Sequence, residues 1–265
     1  MVLLAVLFGL AIGLAVGTFG GGGSVLAVPV LVYVFGQSVD EATTASLLIV
    51  TAAAVAGGAS YARSGRVCWR HAGTFSAAAL PGVVAGTFAG EAVDDSLLIG
   101  VFALIMFAAA VATWRKAEDD SGNDDGSWEG SGACPPLRMP RDIAAGVAVG
   151  FMTGFFGVGG GFLIVPTLAV ALAFTMRTAV GTSLAIITAT SLLGLVTHLA
   201  AGRALDLEIT LAMTVACAAG ALAGVATADR MPQRALGRGF AVLVTGVAAY
   251  LLVSVAFLGG PAGAS

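Results

Sequence analysis

The chain has few charged residues and almost no lysine. Only 10% of its 265 residues are charged, against about a quarter in an ordinary soluble protein, and Lys116 is the single lysine among 12 basic residues. With a net charge of -3, the sequence lacks the basic surface that nucleic-acid binding requires. The composition therefore argues against a soluble protein and against a partner made of nucleic acid.

Cysteine, histidine and catalytic motifs are scarce as well. The three cysteines, Cys68, Cys134 and Cys217, are scattered and odd in number, which predicts neither a disulfide framework nor a metal site. No His-Glu-x-x-His motif, Gly-x-Ser-x-Gly elbow or P-loop lysine occurs. Ser183 and His198 lie 15 residues apart on one predicted helix, roughly 22 Å at 1.5 Å per residue, too far for a nucleophile and its base. We expect no enzyme, no cofactor and no metal.

Apolar sequence, in contrast, is abundant. Hydrophobic residues make up 58% of the chain and the mean hydropathy is +0.99. Windows of about 20 apolar residues recur, the number that a helix needs to cross a bilayer core of roughly 30 Å. We predict an all-α, polytopic transmembrane helix bundle with about eight spans in the lipid bilayer. The predicted spans are residues 2–19, 42–62, 72–90, 96–114, 143–156, 179–200, 209–228 and 235–257.

A glycine-rich stretch at the end of the first span occurs again in the second half. With a shift of 137 positions, residues 17–31 fall on residues 154–168 without a gap. The identical pairs are Gly17 and Gly154, Phe19 and Phe156, Gly20 and Gly157, Gly22 and Gly159, Gly23 and Gly160, Leu26 and Leu163, Val28 and Val165, Pro29 and Pro166, and Leu31 and Leu168. We infer an internal duplication. The first repeat is residues 1–117 and the second is residues 142–265.

The connection between the repeats, residues 118–141, is rich in Ser, Gly, Asp and Glu. Six of the chain's 15 acidic residues lie between Glu118 and Glu129. This composition is typical of a flexible, solvated linker. We expect it to lie in the cytoplasm.

Each glycine run precedes an apolar segment of only about a dozen residues that contains Pro29 or Pro166. Such a segment predicts a half-helix, because proline removes a backbone donor and the segment is too short to cross alone. One crossing for each broken segment gives two four-span repeats of the same orientation, with both termini in the cytoplasm. If each half-helix crossed fully, there would be five crossings per repeat and opposite orientations. We expect the first arrangement.

The positive-inside rule orients this arrangement. It places the loop that carries Arg63, Arg66 and Arg70 in the cytoplasm, and Arg203 marks the same side in the second repeat. Arg230, Arg234 and Arg238 border a loop that this scheme puts outside.

Glycines four residues apart form ridges on several spans. These ridges, which let another helix approach closely, are Gly9, Gly13 and Gly17, then Gly82, Gly86 and Gly90, and then Gly146, Gly150 and Gly154. We predict tight helix packing along them.

The paired glycine stretches resemble those of the TauE/SafE family of probable membrane permeases, also described as the 4-toluene sulfonate uptake permease family. In each half the stretch is followed by Ala45-Ser46-Leu47 or Thr182-Ser183-Leu184, and then by Gly65 or Gly202. The resemblance implies a duplicated, multi-pass plasma-membrane protein of seven to eight spans that moves sulfite, sulfonates or related organosulfur anions. It leaves the substrate and the direction of transport open.

Backbone chemistry favours an anion site independently of this resemblance. A helix N-terminus has up to four unpaired amide donors and about half a positive charge, and glycine lets a ligand approach the backbone. We therefore predict that the two breaks face each other near mid-membrane and bind a small anion. The predicted substrate-binding residues are Gly20, Gly21, Gly22, Gly23, Ser24, Ser46, Gly157, Gly159, Gly160, Gly161, Thr182, Ser183 and His198, with His198 as a candidate proton carrier.

Simpler roles stand beside these predictions. The glycines can serve only to permit tight helix crossings, the hydroxyls can bond back to their own helices, and His198 can be a packed interior residue. A non-transporting membrane scaffold or assembly protein is the alternative function, and it predicts a dry interior.

Overall fold

All regular elements that the computed structural model describes are helical. It describes residues 2–90, 95–119, 134–156, 161–200 and 207–258. The helices are α1 (Val2–Phe19), α2 (Ala27–Tyr33), α3 (Val39–Arg63), α4 (Trp69–Gly90), α5 (Asp95–Asp119), α6 (Met139–Phe156), α7 (Gly161–Pro166), α8 (Met176–Ala200), α9 (Leu207–Arg230) and α10 (Gln233–Leu258). A 3-10 segment, Gly20–Leu26, precedes α2, and a π-helical turn, Thr167–Ala171, follows α7.

The predicted all-α membrane bundle is confirmed at this level. Five of the described helices, α1, α3, α4, α8 and α9, are long and apolar enough to cross a membrane. The three other predicted spans also lie on helices, namely α5, α6 and α10.

α3 is bounded by local signals in the sequence. Ser38 and Glu41 form a capping box, in which each side chain bonds to the other's backbone amide and satisfies donors that the helix itself cannot. At the other end Gly65 adopts a left-handed φ of +68°, which glycine tolerates without strain. The chain can therefore leave α3 within a few residues and start α4.

Two pairs of helices pack through the predicted glycine ridges. On α1, Gly13 and Gly17 lie directly against the backbone of Cys217 and Ala221 on α9. On α6, Gly150 and Gly154 lie against Ala79 and Val83 of α4 in the same way. Within each pair the residue numbers rise together, so α1 runs parallel to α9 and α6 runs parallel to α4.

α3 and α8 pack against each other in opposite directions. The bounds of α8 are those of α3 plus 137, since 39 + 137 = 176 and 63 + 137 = 200. Thr44 at the start of α3 bonds to His198 near the end of α8, whereas Tyr61 near the end of α3 lies 3.0 Å from a Cβ built on Gly181 near the start of α8. The expectation of two repeats with the same orientation requires parallel α3 and α8, and these contacts contradict it.

The first glycine run reverses the chain instead of interrupting one helix. α1 ends at Phe19, and Gly20 takes a left-handed φ of +71°, the conformation that commonly follows a helix end. A Cβ built on Gly23 would lie 2.6 Å from the backbone nitrogen of Val16, so the 3-10 segment folds back along α1. Pro29 lies in the first turn of α2, where its missing N–H costs no hydrogen bond.

Basic residues collect at one end of the bundle, which we call the basic end. There Arg66 pairs with Asp229, Arg177 Nη2 donates to the Met231 carbonyl at 2.8 Å, and Arg238 lies over the ring of Trp114. Eleven of the 12 basic residues lie at helix ends that meet here, and Arg203 is outside the described residues. The eleven are Arg63, Arg66, Arg70, Arg115, Lys116, Arg138, Arg141, Arg177, Arg230, Arg234 and Arg238.

The basic end also contains a disulfide bond between Cys68 and Cys134, whose Cα atoms are 5.7 Å apart. The expectation of no disulfide is therefore wrong for these two cysteines. They are separated by 66 residues, and only the packing of α4 against α6 brings the segment before α6 to the start of α4. Cys217 is a free, buried thiol.

Candidate functional site

The two glycine-rich segments cross inside the bundle. Gly21 lies directly against the backbone of Gly161, and a Cβ built on Gly161 would be 3.2 Å from the Gly21 Cα and 2.9 Å from the Ser24 Oγ. Gly21 and Gly161 are both buried. The predicted site residues Gly157, Gly159 and Gly160 lie outside the described residues.

The other glycines of the first segment each face a different neighbour. A Cβ on Gly20 would lie 2.6 Å from the Ser183 Oγ, and one on Gly22 would lie 3.1 Å from the ring of Phe240. Gly23 packs on α1 as described above, and the Ser24 hydroxyl donates to the Gly21 carbonyl at 2.6 Å. The segment is therefore closely packed on all sides, and its 3-10 hydrogen bonds occupy most of its amides.

The predicted hydroxyl ligands fall in three different places. Ser183 lies at the crossing, where its hydroxyl donates to the Val180 carbonyl at 2.8 Å beside Gly20. Thr182 faces away, since its Oγ1 accepts the Cys68 amide proton at 3.1 Å, and it does not join the crossing. The Ser46 hydroxyl donates to the Thr43 carbonyl of its own helix at 2.8 Å, which is the simpler of the two roles predicted for the hydroxyls.

His198 is remote from the crossing. Its Nδ1 lies 3.1 Å from the Thr44 Oγ1, and the ring is half-buried near the end of α8. Ile187, which contacts Gly161, is eleven residues earlier on the same helix, roughly 16 Å away at 1.5 Å per residue. In this structure His198 is a packed residue that joins α8 to α3.

A cavity of about 50 Å³ opens beside Gly161, between α4, α6, α7 and α8. Its walls are mostly apolar, and Thr153 and Thr190 contribute the hydroxyls. These hydroxyls donate to the carbonyls of Val149, at 2.7 Å, and of Ile186, at 3.1 Å. Sequence reasoning missed both threonines. The sequence does distinguish them, because the 137-residue shift pairs Thr153 with Val16 and Thr190 with Ala53. At both positions the second repeat has a hydroxyl where the first repeat has an apolar side chain.

The cavity adjoins the start of a helix. Gly161 begins a continuous apolar helical segment, Gly161–Ala171, whose first amides have no acceptor within the helix. This end carries partial positive charge and can attract a negative group without a buried basic side chain. Within the described residues, no three His, Cys, Asp or Glu side chains are placed to hold a metal ion.

Comparison with known proteins identifies the class of protein to which this fold and this buried crossing belong. Over 253 residues, covering 91% of both chains, the sequence is 33% identical to a probable membrane transporter protein of Xylella fastidiosa strain 9a5c. It is 26% identical over 204 residues to one of Methanocaldococcus jannaschii, covering 75% of this chain and 72% of the relative. No solved structure matches the chain.

The family follows from a match over nearly the whole chain. Residues 5–251 match the family described as sulfite exporter TauE/SafE. The chain belongs to this family of membrane transporters.

Proposed function

We propose that this protein carries a small sulfur oxyanion, sulfite or a sulfonate, across the membrane and binds it beside Gly161, where the two glycine-rich segments cross. The observation that carries the proposal is the position of the cavity at the start of the Gly161–Ala171 segment. Its partners are the lipid bilayer and the anionic substrate.

Backbone amides and hydroxyls supply the donors in this proposal. Gly161, the first residue of the Gly161–Ala171 segment, lines the cavity, and the first amides of a helix have no acceptor within it. The hydroxyls of Thr153 and Thr190 can turn from their helix carbonyls toward an anion. A hydrogen bond to a charged group contributes about 1.5–3 kcal/mol, which exceeds the value of the neutral bond that each hydroxyl gives up.

The size of the cavity favours the smallest members of this substrate class. A volume of about 50 Å³ is about a third of the roughly 150 Å³ of an engineered protein cavity that binds benzene. Sulfite, which has four non-hydrogen atoms, suits this space better than a sulfonate with a long organic group.

We further propose that the two repeats are inverted, with five crossings in each and with the basic end in the cytoplasm. The antiparallel directions of α3 and α8 support inversion, and paired inverted repeats with a midplane site are a common transporter design. The gathering of eleven basic residues at one end supports the orientation. In this arrangement the 118–141 linker is cytoplasmic, and both termini lie outside instead of in the cytoplasm.

Flux measurements test the transport proposal. We expect cells or vesicles that contain the protein to take up or release labelled sulfite faster than matched ones without it, with smaller effects for sulfate and a small sulfonate. If none of the three anions moves faster in either direction, the carrier proposal fails and the scaffold alternative is favoured. A larger effect for the sulfonate would retain the carrier and overturn the argument from cavity size.

A further inference from the structure

We propose that Cys68 and Cys134 form a reversible thiol–disulfide site on the cytoplasmic face, and that oxidation of this site slows movement of the anion. The inference rests on the cytoplasmic placement of the basic end and, for its effect on flux, on the proposed transport function. It assigns a role to the Cys68–Cys134 disulfide, the one disulfide in the described residues. This disulfide is not part of the proposed transport site.

The location of the disulfide is the first argument. Cys68 directly precedes α4 and lies between Arg66 and Arg70 in the sequence, within the basic end that the positive-inside rule places in the cytoplasm. Cytoplasmic thiols are normally kept reduced, and cytoplasmic disulfides are usually transient, catalytic or redox-sensing. A cysteine pair held within bonding distance at this face is therefore suited to respond to the thiol balance of the cell.

The chemistry needs only a low-molecular-weight disulfide as oxidant. One cysteine thiolate attacks this disulfide, forming a mixed disulfide and releasing one small thiol, and the second cysteine then displaces the other small thiol. Two protein thiols and one small disulfide thus give one protein disulfide and two small thiols, and reduction is the reverse. The positive partial charge at the start of a helix, where Cys68 lies, favours the thiolate that this exchange requires.

The surroundings of the two cysteines fit a bond that opens and closes again. Cys134 is exposed and offers a point of attack, whereas Cys68 is buried. A second set of contacts fastens the same segment: His71 bonds to Asp142 at 2.5 Å and, through Nε2, to the Pro135 carbonyl at 3.0 Å. These contacts do not depend on the disulfide, so the two thiols stay close after reduction.

A short chain of contacts leads from this site to the crossing. The Cys68 amide donates to the Thr182 hydroxyl, and the next residue, Ser183, contacts Gly20. Gly20 adjoins Gly21, which lies against Gly161. The disulfide fixes Cys68, and with it the Thr182–Ser183 stretch, so we expect it to hinder any rearrangement of the crossing that admits or releases the anion.

The sidedness of the bond is tested without measuring transport. Intact cells are treated with a membrane-permeant reductant or an impermeant phosphine, quenched with acid, and labelled with a maleimide that shifts the protein on a gel. Because the cytoplasm normally keeps thiols reduced, the cells are first treated with a permeant small-molecule oxidant, which we expect to form the bond, and we expect the permeant reductant alone to open it again. Opening by the impermeant phosphine in intact cells, or an unchanged pair under every treatment, would overturn the proposal.

The effect on flux is measured in vesicles loaded with reduced or oxidised thiol buffer at the basic face. We expect the initial rate of sulfite movement to fall at least twofold on oxidation and to recover on reduction. Cys134→Ser and Cys68→Ser should remove this response, and Cys217→Ser, which alters the buried free thiol on α9, should keep it. Rates that are equal in both states, higher on oxidation, or still responsive in Cys134→Ser would contradict the proposal. Absence of flux in every state would instead count against the transport function, since the labelling result stands by itself.

Discussion

Gly21 and Gly161 lie so close together that a methyl group on Gly21 would overlap the backbone of Gly161. We therefore predict that Gly21→Ala forces the crossing apart and destabilises the protein by about 1–3 kcal/mol or more, as overpacking of a close-packed interior does. Thermal unfolding of the purified protein in detergent measures the change. Gly73→Ala on α4 is the matched control, because a Cβ there meets nothing within 4 Å and alanine is the better helix former. Equal unfolding temperatures for the two variants would refute the close contact.

The hydroxyls of the cavity give a prediction about flux. Thr153→Val and Thr190→Val keep the shape of the side chain and remove one hydroxyl each, so each should slow sulfite movement roughly tenfold, from the loss of about 1.5 kcal/mol or more of binding. Thr188→Val serves as control, since its hydroxyl bonds to the Leu184 carbonyl on the same helix and does not line the cavity. Wild-type rates in both cavity variants would show that the anion binds elsewhere.

Two side-chain pairs at the basic end, His71–Asp142 and Arg66–Asp229, differ in burial, and we predict that they differ in their contribution to stability. Asp142 is fully buried against His71, so Asp142→Asn, which breaks a buried pair, should cost about 3–5 kcal/mol of stability. The side chains of Arg66 and Asp229 remain about a third exposed, and Asp229→Asn should cost at most about 1 kcal/mol. Thermal unfolding of both variants under identical conditions provides the comparison. A smaller loss for Asp142→Asn than for Asp229→Asn would contradict it.

His198 gives a prediction about pH. Because it bonds to Thr44 and lies far along α8 from Gly161, we expect His198→Gln to retain both the rate of sulfite movement and its dependence on pH. Flux measured from pH 5 to pH 8, the interval in which histidine ordinarily titrates, checks this. A pH response that disappears only in the variant would restore His198 as a proton carrier.

The orientation of the bundle can be tested by labelling single cysteines. In a background of Cys68→Ser and Cys134→Ser, an impermeant maleimide should react with Val34→Cys in intact cells and with Ser64→Cys only after the membrane is opened. Val34 and Ser64 are both exposed and lie at opposite ends of α3. The reverse pattern would place the basic end outside, and with it the disulfide.

Local signals made the helices predictable from the sequence. Long apolar windows coincide with α1, α3, α4, α8 and α9, and the glycine ridges of α1 and α6 pack as their spacing predicts. Gly21 lies against Gly161 inside the bundle, and Ser183 lies beside Gly20. The role of these residues in anion binding stays a prediction.

Features that depend on how distant segments meet were not predictable. The disulfide joins residues that are 66 positions apart, and the hydroxyl of Thr182 turns to an amide on a neighbouring element that no spacing reveals. The opposite directions of α3 and α8 depend on whether each short segment after a glycine run returns across the membrane. Hydropathy counts apolar residues and does not record this reversal, so the orientation of the repeats needed three-dimensional contacts.

The pairing of α1 with α9 has a consequence for biosynthesis. Gly9 at one end of the chain packs against Met213, which the ribosome adds about 200 residues later. At roughly 5–20 residues per second, α1 waits on the order of 10–40 s in the membrane before its partner emerges. During that interval its glycine face can contact only lipid or the helices made before α9, so the final packing of α1 must follow insertion of α9.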